Sequence, residues 1–422
     1  MDIIIIGTGV FGLSAANHIH QKLPHAKLSI ISRPSHLAPS DDISKVVRVD
    51  YTDLDRIKEA RESLDQWWKD FPKVIRSTGR IVVSSKEDRN LFHDTNNSRQ
   101  RLGMEPRILS DSGIMKKVFG ASDAPDSLDY VYNWDDAIVD WEDCIAQLRK
   151  RARDFCVDSG GVFYESTVDS LDHHNGQVTT IVLEDGQRIE TAKAEIVLAV
   201  GPWFTDVLDK SSIPYPPPGR IPIATGIFSF VVQMNDKQID YFKDKPMISH
   251  NGIIDFLPPA GGGKTGKLTW IEPFTNGGAS SLSRVDDFSN TRLARAHMAK
   301  AVEWARKFIP ALEGASIVSI NSFWDGVTQT QVPLLARHPE YSNLVCAAGG
   351  SFNRAKDLPT LGGYIVDLLA EVQIPDQYGW SPGVTLSRSD QPRLVGRGDF
   401  TVMEKAAEQE RKEDSLLLPM II

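Results

Sequence analysis

Residues 1–12 read Met-Asp-Ile-Ile-Ile-Ile-Gly-Thr-Gly-Val-Phe-Gly. Ile3 to Ile6 form an unbroken β-branched run, the pattern of a strand covered on both faces in a parallel sheet. Gly7, Gly9 and Gly12 follow in G-x-G-x-x-G spacing, with Val10 and Phe11 between the last two. Gly7 makes the tight turn, Gly9 lets a pyrophosphate approach the backbone, and Gly12 lets the next helix pack on the strand. That helix, Leu13 to about Lys22, turns its N-terminal amides and positive dipole end towards the phosphates. The fold class is therefore α/β, with a Rossmann-type dinucleotide domain. The turn alone leaves NAD, NADP and FAD open.

A second apolar strand follows, Lys27-Leu-Ser-Ile-Ile-Ser-Arg33. Units of this kind normally end it with Asp or Glu, about 20 residues past the glycines, to hold the ribose hydroxyls. Here Ser32 and Arg33 stand there. Ser32 offers ribose an uncharged hydroxyl. Arg33 suits a 2′-phosphate, or is simply solvated.

The chain has 422 residues, room for two or three domains. Its net charge of -9 argues against a nucleic-acid partner. Three scattered cysteines, Cys144, Cys156 and Cys346, make no disulfide framework, so a reducing, cytoplasmic setting is expected. No apolar run reaches the roughly 18 residues that span a bilayer, the N-terminus has no signal-type pattern, and the last residues are not a Ser-Lys-Leu address. H-E-x-x-H, P-loop, G-x-S-x-G and cysteine-cluster motifs are missing, so hydrolase and metal readings lack support, and no metal site is expected.

Further along, 53–71 and 140–158 read as amphipathic helices, and 86–127 as a polar, turn-rich excursion. Thr78 to Ser84 reads as a strand, and Gln177 to Glu190 as a hairpin turning at Gly186. Ala194 to Trp203 and Asn343 to Gly350 are buried strands that each run into glycine. Residues 214–222 are proline-rich and mark a crossing into a second domain. Strand-type segments fill 223–275, a helix spans 290–309, and another opens near Thr360. Residues 389–417 are charged and lack a core pattern.

The order of these signals resembles the FAD-dependent amine oxidases of the D-amino-acid-oxidase-like superfamily: a βαβ start, Leu-Ala-Val-Gly-Pro-Trp203, then Gly-Gly-Ser-Phe-Asn-Arg-Ala-Lys356. The branch it is most similar to holds monomeric sarcosine oxidase, fructosyl amino acid oxidases, and saccharopine and pipecolate oxidases. The resemblance covers roughly residues 2–370. It implies an FAD-binding domain assembled from 1–80, 138–215 and 330–388, an α+β substrate domain from 81–137 and 216–329, and a tail at 389–422.

Carried over by position, the resemblance assigns Gly7, Gly9, Val10, Phe11 and Gly12 to the FAD pyrophosphate, and Ser32 and Arg33 to the ribose end. Ser40 and Lys45 lie along the flavin. Val168 reaches the adenine. Gly201 and Trp203 form the middle turn, and Gly350, Phe352, Asn353 and Lys356 the last one. Arg48 and Lys356 would grip a substrate carboxylate, and Lys267 resembles the lysine that activates dioxygen. The family usually links its flavin through a cysteine in a Cys-Trp-x-x-x-Thr context. The matching stretch is Ser322-Phe-Trp-Asp-Gly-Val-Thr328, with Phe323 at the cysteine position, so dissociable FAD is expected.

The implied function is oxidation of a C–N bond in an amino acid or secondary amine, with O2 reduced to hydrogen peroxide by a monomeric enzyme. Two other readings stay open: a flavin-dependent tailoring oxidoreductase of fungal-type secondary metabolism, and a flavin-binding protein without turnover. Without the resemblance, Lys45 and Arg48 read as surface charges, Lys267 as a solvated turn residue, and Lys356 with Asp357 as an exposed pair worth under ~1 kcal/mol.

Overall fold

The computed structural model describes residues 1–33, 37–191, 193–215, 220–277, 283–380, 398–410 and 420–422. The isoleucine run forms the strand Asp2–Ile6, parallel to Lys27–Ser32 on one side and Ala194–Leu198 on the other. Leu344–Ala348 and Phe163–Glu165 extend the sheet in parallel, and Leu334–Arg337 closes one edge antiparallel.

Period-two alternation splits the four isoleucines between two cores. Ile3 and Ile5 pack with the helices Val10–Lys22, Trp141–Asp158 and Leu358–Leu369. Ile4 and Ile6 pack with Phe204–Lys210 and the small sheet Val168–His174, Gln177–Leu183 and Arg188–Glu190. Full burial of each is worth about 1.5–3 kcal/mol.

Two glycines in the first turn are sterically required. Gly7 has φ +105, and a Cβ there would lie 2.4 Å from the Ala199 carbonyl oxygen. A Cβ on Gly12 would lie 1.9 Å from the Gly7 carbonyl oxygen, so the helix rests directly on the turn.

A larger sheet runs through Ser316–Val327, Ile223–Gln233, Thr265–Thr275, Ile254–Leu257, Met247–His250, Arg80–Ser85 and Leu128–Asn133. Its strands sort their side chains by parity. Phe228, Phe230, Leu268 and Phe274 bury against the helix Arg292–Phe308. The opposite face carries Lys267, Thr269 and Ile271. Within 86–127 lie the helices Arg89–Arg101 and Gly113–Phe119.

The described parts of 389–422 differ from a charged tail. Gly398–Asp399 pairs with Phe274 and Thr275, and Met420–Ile421 pairs with Ser316 and Ile317. Phe400 stacks on Phe288 with ring centroids 3.6 Å apart. Glu404 accepts from the Arg292 and Leu293 amides, at 3.0 and 2.7 Å. A few apolar anchors in a charged window escape a reading based on average polarity. The rest of that stretch, and residues 216–219 of the proline-rich crossing, lie outside the described residues.

Candidate functional site

Two adjoining cavities lie between the sheets. The smaller, about 190 Å³, opens at the carboxyl ends of the parallel strands, where an α/β sheet receives its ligand. Every cofactor residue expected from the sequence lines it except Gly12 and Lys356. Gly12 lies beneath, against Gly7. The helix beginning at Val10 has no side-chain cap and no acid in its first turn. Its first amides therefore suit an anion. At the far end, the Ser32 hydroxyl is hydrogen-bonded to that of Thr8, and the Arg33 guanidinium lies 4.4 Å over the Trp203 ring.

The strand Leu344–Ala348 delivers a tight turn to the junction of the cavities. Gly349, Ser351 and Phe352 all have positive φ, the last two at 51 and 53. Each non-glycine residue in that region costs on the order of 1 kcal/mol. Asp325 pins the turn: its carboxylate accepts from the Phe352 amide at 2.7 Å and the Gly326 amide at 2.8 Å. Burial pushes the Asp325 carboxyl up to about 6, against those two hydrogen bonds and the charge of Lys45. Next to it, both amide atoms of the Asn353 side chain are buried without a partner among the described residues. A glycine cradle, an uncapped helix start and an unsatisfied amide group suit a dinucleotide with an amide-edged ring system, as FAD is.

The larger cavity, about 690 Å³, is lined by Arg48, Lys267 and Lys356, with Phe323 in its wall. Lys45, Phe352 and Asn353 line both cavities. Lys267 is buried, not a solvated turn residue. Its ammonium donates to the Asp42 carboxylate and, at 2.7 Å, to the Ser44 carbonyl. Lys45 donates to the same Asp42 oxygen at 2.6 Å. Burial pushes Lys267 down to about 8, Asp42 opposing and Lys45 adding to the shift. Burial also pushes the Asp42 carboxyl up, but the two ammonium groups more than reverse this and hold it below the usual carboxylate range.

Lys356 and Asp357 are buried too, rather than an exposed pair. The Lys356 ammonium donates to the Asn353 carbonyl at 2.7 Å and to Asp357 at 2.9 Å. Its own carbonyl accepts from Ser63 and Trp67, both at 2.6 Å, so the helix Leu54–Asp70 fixes its backbone. Arg48 lies with its guanidinium 4.8 Å from the Tyr51 ring. His338 is buried with Nε2 3.1 Å from the Pro214 carbonyl.

Asp42 and Asp325 are the site residues that sequence reading missed. The one available signal was Asp42 three residues before Lys45. None of the three cysteines lines either cavity, and no described cluster of His, Cys, Asp or Glu could hold a metal.

Comparisons with known proteins bear on the family and the fold. The DAO family, FAD dependent oxidoreductase, matches residues 2–368. L-saccharopine oxidase of Schizosaccharomyces pombe is 26% identical over 396 residues, spanning 86% of this chain and 88% of that protein. Two Aspergillus fumigatus structures share the fold over 94% of this chain and 93% of theirs. Fructosyl amine:oxygen oxidoreductase (amadoriase I) has TM-score 0.76 at 19% identity. Amadoriase II, in complex with FSA, has TM-score 0.77 at 18% identity.

Proposed function

This chain belongs to the DAO family of FAD dependent oxidoreductases, and on that footing we propose that it oxidises the C–N bond of an amino acid or secondary amine. The observation that carries the reading is the shared wall of the two cavities: Lys45, Phe352 and Asn353 border both. A group in the larger cavity would therefore meet the part of the cofactor that lies at this shared wall. The relatives' own activities, on saccharopine and on fructosyl amines, support an amine at that point.

Bound FAD would supply the two-electron chemistry, taking hydride from the carbon next to nitrogen and passing the electrons to O2 to give hydrogen peroxide. The chain's own residues do the rest. The glycine turn and the first turn of Val10–Lys22 would hold the pyrophosphate, and the unpartnered Asn353 amide would be available to the ring system. Arg48 and Lys356 grip the substrate carboxylate, Arg48 with a fork that matches it. Lys267 places a positive charge where charge develops on oxygen. The reacting amine is neutral, its proton having gone to water, and the imine product is hydrolysed by water.

FAD is held here without a covalent bond. Phe323 is buried in the wall of the larger cavity, 5.8 Å from the Lys45 ammonium, where the resemblance puts a linking cysteine. We read the enzyme as a cytoplasmic monomer. Three buried free cysteines suit a reducing compartment, and no described helix is long and apolar enough to cross a membrane.

The test is a panel of amines and amino acids added anaerobically to the purified yellow protein. Bleaching by one of them, then recolouring in air with peroxide release, is expected. Slow recolouring would favour a tailoring dehydrogenase instead. Colour that no amine bleaches would sink the oxidase reading and leave a flavin-binding protein.

A further inference from the structure

Five neighbouring strands of the large sheet bring Ser249, Asp255, Thr269, Ser229 and Asn321 into a single row. Ser249 pairs with Asp255, Asp255 with Thr269, Thr269 with Ser229, and Ser229 with Asn321. Directly paired residues share a face with Cβ atoms roughly 5 Å apart. The row is therefore a polar track across the sheet. Leu257 and Lys267 flank it on one side, Ile227 and Phe323 on the other. Ser249, Asp255 and Thr269 open into the larger cavity.

Asp255 stands out within that cavity. The buried acids around it are matched to protein cations: Asp42 to Lys45 and Lys267, Asp50 to Arg99 and Arg107. The side chain of Asp255, a half-buried residue, makes no ion pair or hydrogen bond among the described residues. Lys267, offset from it by two residues on the neighbouring strand, turns its ammonium to Asp42 and the Ser44 carbonyl and feels Asp255 only through space. A half-buried carboxylate with no direct ion pair or hydrogen bond, and with a hydroxyl on each side, is a receptor for a cation with several N–H donors.

The cavity is also roomy. At about 690 Å³ it exceeds what a carboxylate, an amine and a short side chain require. The cationic side chains expected to hold a carboxylate, Arg48 and Lys356, come from the 44–51 segment and the 349–357 turn. Asp255 comes from the sheet. The two poles thus belong to different walls.

We infer that Asp255 is a specificity-determining residue that receives a second, positively charged group of the substrate. This rests on the amine-acid reading above and narrows it. The substrate is an amino acid carrying an ammonium or guanidinium group apart from its reacting nitrogen and its gripped carboxylate. Ser249 and Thr269 accept the remaining N–H donors.

The test uses binding to the flavin-loaded enzyme, read as a perturbation of the flavin absorption band. The probes are straight-chain carboxylates of increasing length, each with and without a terminal amine, hexanoate and its ω-amino counterpart among them. At the best-fitting length the amino member is expected to bind about 10–100-fold more tightly. Asp255→Asn should bring each pair close to parity while the unsubstituted acids keep their affinity, an outcome that a general loss of structure would not produce. Equal binding within every pair in the unaltered enzyme overturns the inference. So does a gain confined to the shortest α-amino acids, which would set Asp255 against the reacting nitrogen. If no carboxylate binds, with or without an amine, the amine-acid reading itself fails.

Discussion

Lys267 and Asp42 lie 225 residues apart in the chain and meet in a buried ion pair. The same Asp42 oxygen also takes the Lys45 ammonium. Burial pushes Lys267 down to about 8, and one carboxylate shared with Lys45 offsets only part of that shift.

The oxygen half-reaction should therefore weaken above about pH 8, as Lys267 loses its proton. Lys267→Met should remove that alkaline limb and slow reoxidation by roughly 10²-fold, with little change in reduction by substrate. Stopped-flow measurement of the two half-reactions checks this. Equal slowing of both would take Lys267 out of the oxygen step.

Asp42→Asn removes the charge that opposes deprotonation of Lys267. The alkaline limb should move below pH 8 in that variant. Breaking one side of a buried pair also costs about 3–5 kcal/mol, so the denaturation midpoint should drop as well. A limb that stays in place would mean that Asp42 does not set the charge on Lys267.

Acid precipitation should leave the flavin in the supernatant. Flavin that stays with the protein pellet would end the case for a dissociable cofactor.

Replacing Arg48 by Met should raise KM for a carboxylate-bearing substrate about 10–100-fold and change kcat much less. An amine without a carboxylate should be oxidised equally well by both enzymes. A similar loss for both substrates would assign Arg48 to the architecture of the cavity instead.

Asp325 gives a pH signature of stability. Its carboxyl sits at about 6, above its unfolded value, so the folded chain binds that proton more tightly. The resulting stability is fully present below about pH 4 and is lost as pH rises through 6, a change on the order of 3 kcal/mol. Asp325→Asn should flatten this part of the melting-temperature profile, whatever its constant offset from a weakened turn. An unchanged slope would assign it to another group.

The parallel sheet and its glycine turns were legible because their signals are local: an isoleucine run, a three-glycine spacing, two later strands ending in glycine. Helix limits followed from periodicity to within a few residues. Arg292–Phe308 falls inside the expected 290–309. The charge network was not legible. Asp42 gains its meaning from Lys267, and Asp325 from a turn 27 residues on. Lys356 and Asp357 are adjacent in any conformation; their burial comes from the helix that carries Ser63 and Trp67. Phe400 was hidden for the same reason, since its partner Phe288 lies more than a hundred residues away.

The smaller cavity takes its walls from distant parts of the chain: the first glycine turn and the strained turn after Leu344–Ala348. On the ribosome these appear far apart in time. About 340 residues separate Gly12 from Asn353, and at ~5–20 residues per second the nascent turn waits tens of seconds for its counterpart. Until then there is a phosphate cradle but no complete enclosure for the rings. Cofactor capture therefore belongs to the end of synthesis, and a nascent chain stalled before Asn353 should emerge colourless.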